Sequence, residues 1–407
     1  MSTFLLIPDS FKGTLTASQA CAAMESAIRR QLPGAAVRSL PMADGGEGTV
    51  DAFLTALGGQ KVTAKVCGPH FAPMEASYGL LPDGTAVIEM AACAGLPLVG
   101  SKKNPERATT YGVGELILHA LDRGARRFLL GLGGSATNDG GCGCAAACGV
   151  RFYEKNGSSF VPSGRNLTDI EKIDMTYMDP RLKDCTFTVL CDIDNPLCGP
   201  TGAATVFGPQ KGADEEMVTR LDMGLRHLAR RWLEDLGKDL LFLPGGGAAG
   251  GMGAGMAAFF GGQLKSGIDT LLDAVGFDEL AKEADLIFTG EGKLDGQTLR
   301  GKAVCGVAKR AKALGVPVIA LGVPLVVYAS TISRDTIGLI AGEMGLEGQE
   351  EQLKTLAEKL IAEHTGELIV TPKEIDSILS DMTRILADGI NMALFGADYE
   401  TVRTLIA

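Results

Sequence analysis

Three pairs of carboxylates each follow a short apolar segment and could supply acid–base or metal-binding groups. The pairs are Asp44 with Glu47, Asp192 with Asp194, and Glu291 with Asp295. Phosphoryl transfer uses such groups, because carboxylates hold the Mg²⁺ that bridges phosphate oxygens and accept the proton of the acceptor hydroxyl. A single pair is more often a solvated loop or a helix cap. Three pairs beside glycine-rich loops favour a function.

Two glycine-rich segments could supply an anion-binding site. They are "GLGGSATNDGG" at residues 131–141 and "PGGGAAGGMGAG" at residues 244–255. Consecutive backbone N–H groups at the start of a helix bind anions, and the hydroxyls of Ser135 and Thr137 would add donors to the first segment. Close backbone packing without a ligand explains the second segment equally well. The first segment is therefore the main candidate phosphate loop.

Three other nucleotide-binding patterns match parts of the chain. Residues Gly131 to Ala136 fit the relaxed dinucleotide pattern G-x-G-x-x-A, with Glu154 near the expected acidic position. The letters "GLGGSA" resemble the phosphate loop of the galactokinase and homoserine kinase superfamily, although the usual preceding proline is missing. "GQTLRGKA" at residues 296–303 approaches a P-loop, but Ala303 replaces the hydroxyl residue that would bind Mg²⁺. Each match is weak when it is taken alone.

The sequence alternates short apolar runs with segments of helical periodicity, which predicts α/β domains with largely parallel sheets. Residues 16–32 show the pattern of a helix, with Thr16 and Gln19 spaced as a capping box. Polar loops with glycines follow five predicted strands, at residues 9–12, 44–47, 133–139, 192–195 and 290–295. Ligands bind beyond the carboxyl ends of parallel strands. We therefore expect the functional residues at these strand ends.

Length, charge and composition exclude several classes of protein. The 407 residues predict two domains, and the net charge of −11 argues against nucleic acid or an anionic membrane surface as the main partner. The N-terminus lacks the pattern of a signal peptide, and the uncharged stretch at residues 240–264 is too rich in glycine for a membrane span. The ten cysteines contain no C-x-x-C pair, which favours buried thiols over a zinc site. The sequence predicts a cytoplasmic protein.

Six segments, taken together and in this order, closely resemble the bacterial glycerate kinase family. They are "PDSFKGTLTA", "PMADGGEGT", "GLGGSATNDGG", "CDIDNPLCGPTGAATVFGPQKGA", "PGGGAAGGMGAG" and "TGEGKLDGQTLRGKA". The resemblance covers residues 1 to about 320. It implies an enzyme of glyoxylate and sugar-acid catabolism that uses ATP and Mg²⁺ to phosphorylate D-glycerate. In most of this family the product is 2-phosphoglycerate.

The resemblance also implies a fold of two α/β domains, a flavodoxin-like outer domain with a second α/β domain inserted into it. The outer domain would comprise residues 1–75 plus 283–407 and the insert residues 76–282, with the active site in the cleft between them. After "VPVIAL" the chain departs from the family pattern, and "EEQLKTLAEKLIAEH" predicts an extra amphipathic helix. This helix is either an oligomer contact or a packed insertion, and we favour the insertion. A homo-oligomer remains compatible with the sequence.

Residue types within these motifs suggest individual roles. The predicted ATP- and phosphate-binding set is Gly133, Gly134, Ser135, Thr137, Gly246, Gly247, Gly250, Gly251 and Lys293. The predicted catalytic set is Asp192, Asp295 and Lys12, and the two aspartates are also the candidate Mg²⁺ ligands. The predicted substrate-binding set is Ser10, Asp44, Glu47 and Asn138. Lys211, in "GPQKGA", could neutralise a carboxylate or a phosphate, but a surface lysine is an equally good explanation.

Several other functions stay open at this point. Phosphorylation could take place at the 3-hydroxyl of glycerate, because the choice of hydroxyl depends on small differences in substrate pose. A nicotinamide-dependent oxidoreductase of a small hydroxy acid would bind NADH and would not consume ATP. A sugar-acid binding protein would bind glycerate without phosphoryl transfer. A kinase of the galactokinase type would use ATP on another alcohol.

Overall fold

The computed structural model describes residues 2–11, 15–43, 45–292 and 303–322. The chain forms two compact units, Met1–Ala43 with Leu271–Ala407 and Asp44–Thr270. The first unit is thus made of two segments that flank the second unit in the sequence. The extra helix predicted from "EEQLKTLAEKLIAEH" lies outside the described residues.

Strands and helices alternate over much of the described chain. The strands are β1 (Thr3–Leu6), β2 (Ala36–Ser39), β3 (Gln60–Cys67), β4 (Pro73–Leu80), β5 (Thr85–Glu89), β6 (Arg127–Gly131), β7 (Arg151–Tyr153), β8 (Ser159–Phe160), β9 (Lys172–Asp174), β10 (Thr186–Leu190), β11 (Gln263–Lys265), β12 (Leu286–Glu291) and β13 (Val318–Gly322). The helices are α1 (Ala17–Gln31), α2 (Thr49–Leu57), α3 (Ala91–Ala94), α4 (Leu96–Val99), α5 (Tyr111–Asp122), α6 (Cys142–Ala147), α7 (Ala203–Phe207), α8 (Glu215–Leu236), α9 (Ala248–Phe260), α10 (Gly267–Ala274), α11 (Phe277–Lys282) and α12 (Ala303–Leu314). Short 3₁₀ helices cover Gly164–Asp169, Pro180–Asp184 and Pro209–Lys211. The predicted α/β class is confirmed.

The first unit contains a four-stranded parallel sheet in the order β13-β12-β1-β2. This is the order of the first four strands of a flavodoxin-like sheet. Phe4 and Leu6 of β1 pack with Met24 of α1 and Leu286 of β12 in one buried cluster. The buried residues of α1 recur at helical spacing and so form one apolar face of the helix. This face packs on the sheet.

The second unit is built on a six-stranded sheet in the order β11-β10-β6-β5-β4-β3. The first four strands of this order are parallel, whereas β3 and β4 run antiparallel to their neighbours. Val62, Ala64 and Val66 alternate with exposed residues along β3, which is the pattern of a strand with one solvated face. Five residues join β3 to β4, too few for the crossover that a parallel pair needs. The antiparallel pair was not predicted from the sequence.

The compact units divide at other positions than the predicted domains. The predicted boundaries at 75/76 and 282/283 stay a prediction, while the units change at 43/44 and 270/271. The difference at the first boundary follows from the pairing of β3 with β4 along their whole length, from Gln60 to Leu80. Position 75/76 lies inside β4, so a division there would split a paired strand.

None of the helices within the described ranges is long and apolar enough to cross a membrane. Within the glycine-rich stretch at residues 240–264, the only helix is α9, which has 13 residues, and β11 begins at Gln263.

The capping box predicted at the start of α1 is present and gives a direct stability test. The Thr16 hydroxyl accepts the N–H of Gln19 at 3.2 Å, and the Gln19 side chain accepts the N–H of Thr16 at 2.9 Å. We expect Thr16→Ala to lower the free energy of unfolding by about 1 kcal/mol, because an N–H of the first turn loses its acceptor. Chemical denaturation measures this loss. Thr16→Ser keeps the hydroxyl, so a loss of equal size in both variants would contradict the capping role.

Candidate active site

Four parallel strands of the second unit end in register at one edge of its sheet. Their last residues, Glu89, Gly131, Leu190 and Lys265, pair with one another across the sheet. The loops that follow β6 and β10 contain the predicted residues 133–138 and 192. Loops at the carboxyl edge of a parallel sheet are the usual place for ligands. This edge is therefore the candidate active site.

The loop after β6 contacts the glycine loop before α2 at backbone distance. The N–H of Gly133 donates to the carbonyl oxygen of Gly45 at 3.1 Å. A Cβ added to Gly133 would lie 2.5 Å from the Cα of Gly46, and one added to Gly131 would lie 2.4 Å from the oxygen of Gly45. Both positions therefore need glycine for packing. The predicted phosphate contact of Gly133 stays a prediction, and its N–H has an internal acceptor.

A buried lysine lies beneath the next part of this loop. Lys211 is 2% exposed, and its Nζ donates to the Oγ of Ser135 at 2.9 Å and to the carbonyl oxygen of Thr137 at 2.7 Å. Burial lowers the pKa of Lys211 to about 7, and the negative charge of Asp139 partly opposes this shift. The sequence marked this lysine but did not include it in the site. Its short motif, "GPQKGA", does not indicate that the side chain is buried.

Asp139 organises the end of the same loop. It is fully buried, and its carboxylate accepts hydrogen bonds from the N–H and hydroxyl of Thr110 and from the N–H groups of Gly141 and Gly143. Burial raises the pKa of Asp139, and these hydrogen bonds oppose the increase. The hydroxyl of Thr110 in turn accepts the N–H of Cys144, in the first turn of α6. The loop after β6 is thus fixed to α6.

Asn138 is buried between these anchored residues, and its side chain has no polar partner in the described part of the chain. Its side chain is 0% exposed, and neither its Oδ1 nor its Nδ2 has a hydrogen-bond partner among the described residues. An unsatisfied buried polar group costs about 1–3 kcal/mol. Such a cost is typical of a group whose partner is a ligand or an ordered water. Asn138, a predicted substrate-binding residue, is therefore left unsatisfied by the part of the fold that the structure describes.

The second glycine-rich segment packs against both neighbouring loops. The N–H of Gly247 donates to Asn195 O at 3.0 Å, and Gly250 O accepts the N–H of Gly140 at 3.0 Å. A Cβ on Gly250 would lie 2.1 Å from the oxygen of Thr137. The backbone has positive φ angles from Ala249 to Gly251, before the regular part of α9. Gly246, Gly247, Gly250 and Gly251 are all buried, and their predicted phosphate contacts stay a prediction.

The candidate metal ligand Asp192 follows β10. Its Oδ1 accepts the N–H of Gly267 at 2.9 Å, at the first residue of α10. Asp194, two residues further on, is exposed. Over the described residues there is no group of three or more His, Cys, Asp or Glu side chains that could hold a metal ion. Mg²⁺ needs only one or two carboxylates when phosphates supply other ligands, so Asp192 fits that role.

The remaining predicted residues are distributed as follows. Lys12, Asp44, Lys293 and Asp295 lie outside the described residues. Glu47 is exposed just before α2 in the second unit. Ser10 belongs to the first unit, where its N–H donates to the carboxylate of Asp9 at 2.6 Å. The structure therefore brings together the predicted residues of loops 133–138 and 246–251, with residues 193–196 after Asp192 packed beside them.

Sequence reasoning missed Glu89, the last residue of β5. Its Oε1 accepts the N–H of Val50 in the first turn of α2 at 2.7 Å. Burial raises the pKa of Glu89, and the hydrogen bond from Val50 opposes the increase. An acidic residue at the end of the apolar run "TAVIE" was the signal that could have identified it.

The dinucleotide-binding alternative is not favoured by the topology. In that motif the acidic residue ends a strand that lies beside the first one in the same parallel sheet. Here Glu154 follows β7, which pairs antiparallel with β8 and β9 in a separate three-stranded sheet. Its N–H donates to the oxygen of Ser158 within the β7–β8 turn. Glu154 is therefore not placed as a ribose-binding residue.

The fold and site define a mixed α/β enzyme with glycine-lined loops at the carboxyl edge of a parallel sheet. The family model described as the glycerate kinase family matches residues 4–370. The chain belongs to this family and is a phosphotransferase. A second family model, germination protease, matches residues 342–402, which lie outside the described residues.

Individual proteins of the family resemble the chain over most of its length. It is 50% identical to the glycerate kinase of Halalkalibacterium halodurans, over 79% of this chain and 85% of that protein. It is 46% identical to the glycerate 2-kinase of Escherichia coli, over 78% and 84% of the two chains. The crystal structure of a putative glycerate kinase 2 from Salmonella typhimurium superposes with a TM-score of 0.74 at 40% identity, and the match covers 89% of this chain and 99% of that one.

The contact between the two glycine loops predicts a strong effect of one methyl group. We expect Gly133→Ala to lower the free energy of unfolding by about 1–3 kcal/mol, because its Cβ would overlap the backbone of Gly46. Chemical denaturation measures this change. Gly34→Ala is the matched control, since a Cβ there meets nothing within 4 Å. Equal stability of the two variants would show that the loops separate readily.

Proposed function

We propose that the chain transfers the γ-phosphoryl group of ATP to the 2-hydroxyl of D-glycerate with the help of Mg²⁺. Family membership and the glycerate 2-kinase among the relatives support this function. The observation that carries it is the loop after β6, where Ser135, Thr137 and Asn138 lie over a buried lysine. A cytoplasmic location, with ATP and D-glycerate as the partners, is part of the proposal.

Anion binding is the first task of this loop. The transition state of phosphoryl transfer is loose and carries spread negative charge, so catalysis depends on positioned donors and cations. Ser135 supplies a hydroxyl donor beside the exposed Gly134, and Thr137 supplies one only if its hydroxyl leaves the oxygen of Ala249, to which it donates at 3.4 Å. Gly246, Gly247, Gly250 and Gly251 would assist through the adjoining backbone, and Lys293 through its charge. The N–H of Gly133 contributes only if it leaves the oxygen of Gly45.

Substrate binding is assigned to Asn138 and to the other predicted substrate-binding residues. Asn138 has an amide donor and an acceptor with no partner among the described residues, and both can bond to glycerate oxygens. Glu47 and Asp44 would bind the glycerate hydroxyls. Ser10 and Lys12 would bind the glycerate carboxylate, and Lys12 is the alternative partner of the γ-phosphate. One of Asp192 and Asp295 would accept the proton of the reacting hydroxyl.

Magnesium would be held by Asp192 and Asp295 together with phosphate oxygens. When bound, the ion neutralises the charge that develops on the phosphates. Asp192 also caps α10 through the N–H of Gly267, so its orientation is fixed before any ligand arrives.

The product of the reaction tests the proposal directly. Purified protein with Mg·ATP and D-glycerate should give the ³¹P NMR resonance of 2-phosphoglycerate. A resonance of 3-phosphoglycerate would support the kinase activity but show that the 3-hydroxyl is the one phosphorylated. Absence of both products, with protein shown to be folded by circular dichroism, would reject the proposed function. Parallel samples with NADH and a small 2-hydroxy acid or its keto form test the oxidoreductase alternative.

Two substitutions at Asp192 separate its charge from its capping hydrogen bond. Asp192→Asn keeps an oxygen acceptor for Gly267 but removes the charge, so we expect kcat to fall at least about a hundredfold with little change in stability. Asp192→Ala also removes the cap and should lower the free energy of unfolding by a further ~1 kcal/mol. Steady-state kinetics and denaturation measure the two effects.

Asp184→Asn is the control for these variants. Asp184 is exposed and ends the short 3₁₀ helix Pro180–Asp184, just before the amino end of β10 and so at the opposite edge of the sheet from the carboxyl ends of the strands. Its kcat should match that of the wild type. If Asp192→Asn also keeps nearly normal turnover, Asp192 has a capping role only and the proposed metal and proton roles are wrong.

A further inference from the structure

We propose that Lys211 is a positioning residue, whose buried ammonium group orients the Ser135 hydroxyl to donate to a phosphate oxygen of ATP. The anion is identified through the proposed function, and the arrangement of the two side chains is independent of it. Lys211 would therefore control the affinity of the loop after β6 for an anion without touching the anion itself.

The geometry gives Lys211 a fixed position under the loop. It is the last residue of the short 3₁₀ helix Pro209–Lys211, and its N–H donates to Gly208 O at 2.9 Å. Gly212 follows with a φ of +94°, and a Cβ added there would lie 2.7 Å from the Cβ of Lys103. The aliphatic part of Lys211 is thus enclosed while Nζ contacts the loop. Since Lys211 is 2% exposed, its charge reaches a ligand only through the groups it contacts.

Ser135 is the group that can transmit this charge. The carbonyl oxygen of Thr137 can only accept, so one N–H of Lys211 is committed to it at 2.7 Å. When Lys211 is an ammonium, Ser135 Oγ must accept as well, and its own O–H is left to donate elsewhere. Ser135 is 8% exposed and follows the exposed Gly134. A hydroxyl that accepts from a cation is a stronger donor to an anion.

The charge of Lys211 has no ion-pair partner within the described part of the chain. The facing carboxylate is Asp139, but its oxygens bond to Thr110, Gly141 and Gly143 instead. Lys103, on the segment that packs against Gly212, is exposed and donates to the oxygen of Gln210. An unpaired buried cation is costly, and an anion at Ser135 would compensate part of that cost.

Protonation of Lys211 therefore acts as a switch on the hydroxyl. A neutral amine has a lone pair, to which Ser135 can donate its proton, and the donor is then lost to the ligand. Because the pKa of free Lys211 is about 7, the ammonium form predominates only below that pH. Anion binding favours the ammonium and raises this pKa. Binding above pH 7 therefore takes up a proton, and affinity falls by up to about tenfold per pH unit.

Calorimetric titration with Mg·ATP in the absence of glycerate tests this inference. Binding is measured between pH 7 and 9 in buffers of different ionisation enthalpy, which gives the number of protons taken up. For the wild type we expect uptake that approaches one proton at the upper end of this range. Lys211→Met should bind Mg·ATP about tenfold more weakly at pH 7, with no proton uptake. Lys211→Arg keeps a charge that does not titrate, so it should bind without a pH slope.

Two further variants distinguish the specific effect of the Lys211–Ser135 pair from nonspecific effects of a substitution. Ser135→Ala should lose affinity and most of the proton uptake, although Lys211 keeps its surroundings. Lys183→Met removes an exposed lysine from the 3₁₀ helix Pro180–Asp184 and should behave as the wild type. Wild-type binding and pH slope in either Lys211→Met or Ser135→Ala would overturn the proposal.

A spectroscopic measurement on the wild type covers the case in which a Lys211 variant does not fold. The ¹³Cε resonance of one lysine should titrate with a pKa near 7 and move to a higher pKa when Mg·ATP is added. Absence of such a resonance, or no binding of Mg·ATP, would overturn the inference. If Mg·ATP binds with proton uptake but no phosphoglycerate forms, the proposed function fails and the role of Lys211 stands. If phosphoglycerate forms but Mg·ATP binds without proton uptake, the proposed function stands and the role of Lys211 is wrong.

Discussion

Main-chain contacts between glycines fix the loop after β6 at both of its ends. Gly133 donates to the carbonyl of Gly45, and Gly140 donates to the carbonyl of Gly250. A Cβ added to Gly131, Gly133 or Gly250 would meet backbone atoms at 2.1–2.5 Å, so no side chain fits at these positions. Between the two anchors lie Ser135, Thr137 and Asn138. Their backbone is held by neighbouring loops, while the Ser135 hydroxyl contacts Lys211 and the Thr137 hydroxyl contacts the oxygen of Ala249.

The same region is unfavourable for stability, and this points to function. Among the described residues, Asn138 is buried with two unsatisfied atoms and the buried amino group of Lys211 has no ion-pair partner. An apolar side chain at position 211 could fill the space without a desolvation cost. Polar groups that weaken a fold in one cluster are typical of sites that a ligand completes. The first unit provides a contrast, since Phe4, Met24 and Leu286 of its cluster are simply packed apolar residues.

Local signals in the sequence were sufficient for part of the fold and of the site. The capping box of Thr16 and Gln19 and the loops after β6 and β10 could be predicted, because each depends on neighbouring residues. The pairing of β3 with β4 could not, since it depends on a short connection and on a sheet assembled from distant segments. The burial of Lys211 against Ser135 joins residues 76 positions apart, which no local pattern reveals. The germination protease match at residues 342–402 overlaps the glycerate kinase family match over residues 342–370 and lies outside the described residues.

Glycines and hydroxyls have different parts in this loop. Glycine-rich phosphate loops are usually explained by their free N–H groups, yet the N–H of Gly133 has a carbonyl acceptor. The close approach of the backbones at Gly133 and Gly250 is therefore a packing requirement first. Side-chain hydroxyls are then the donors that can still turn toward a ligand. Unlike an N–H, a hydroxyl can either donate to a neighbouring group or accept from it, depending on that group's protonation. In this loop the glycines fix the backbone conformation, and Ser135 together with Lys211 provides a hydrogen-bond donor that depends on pH.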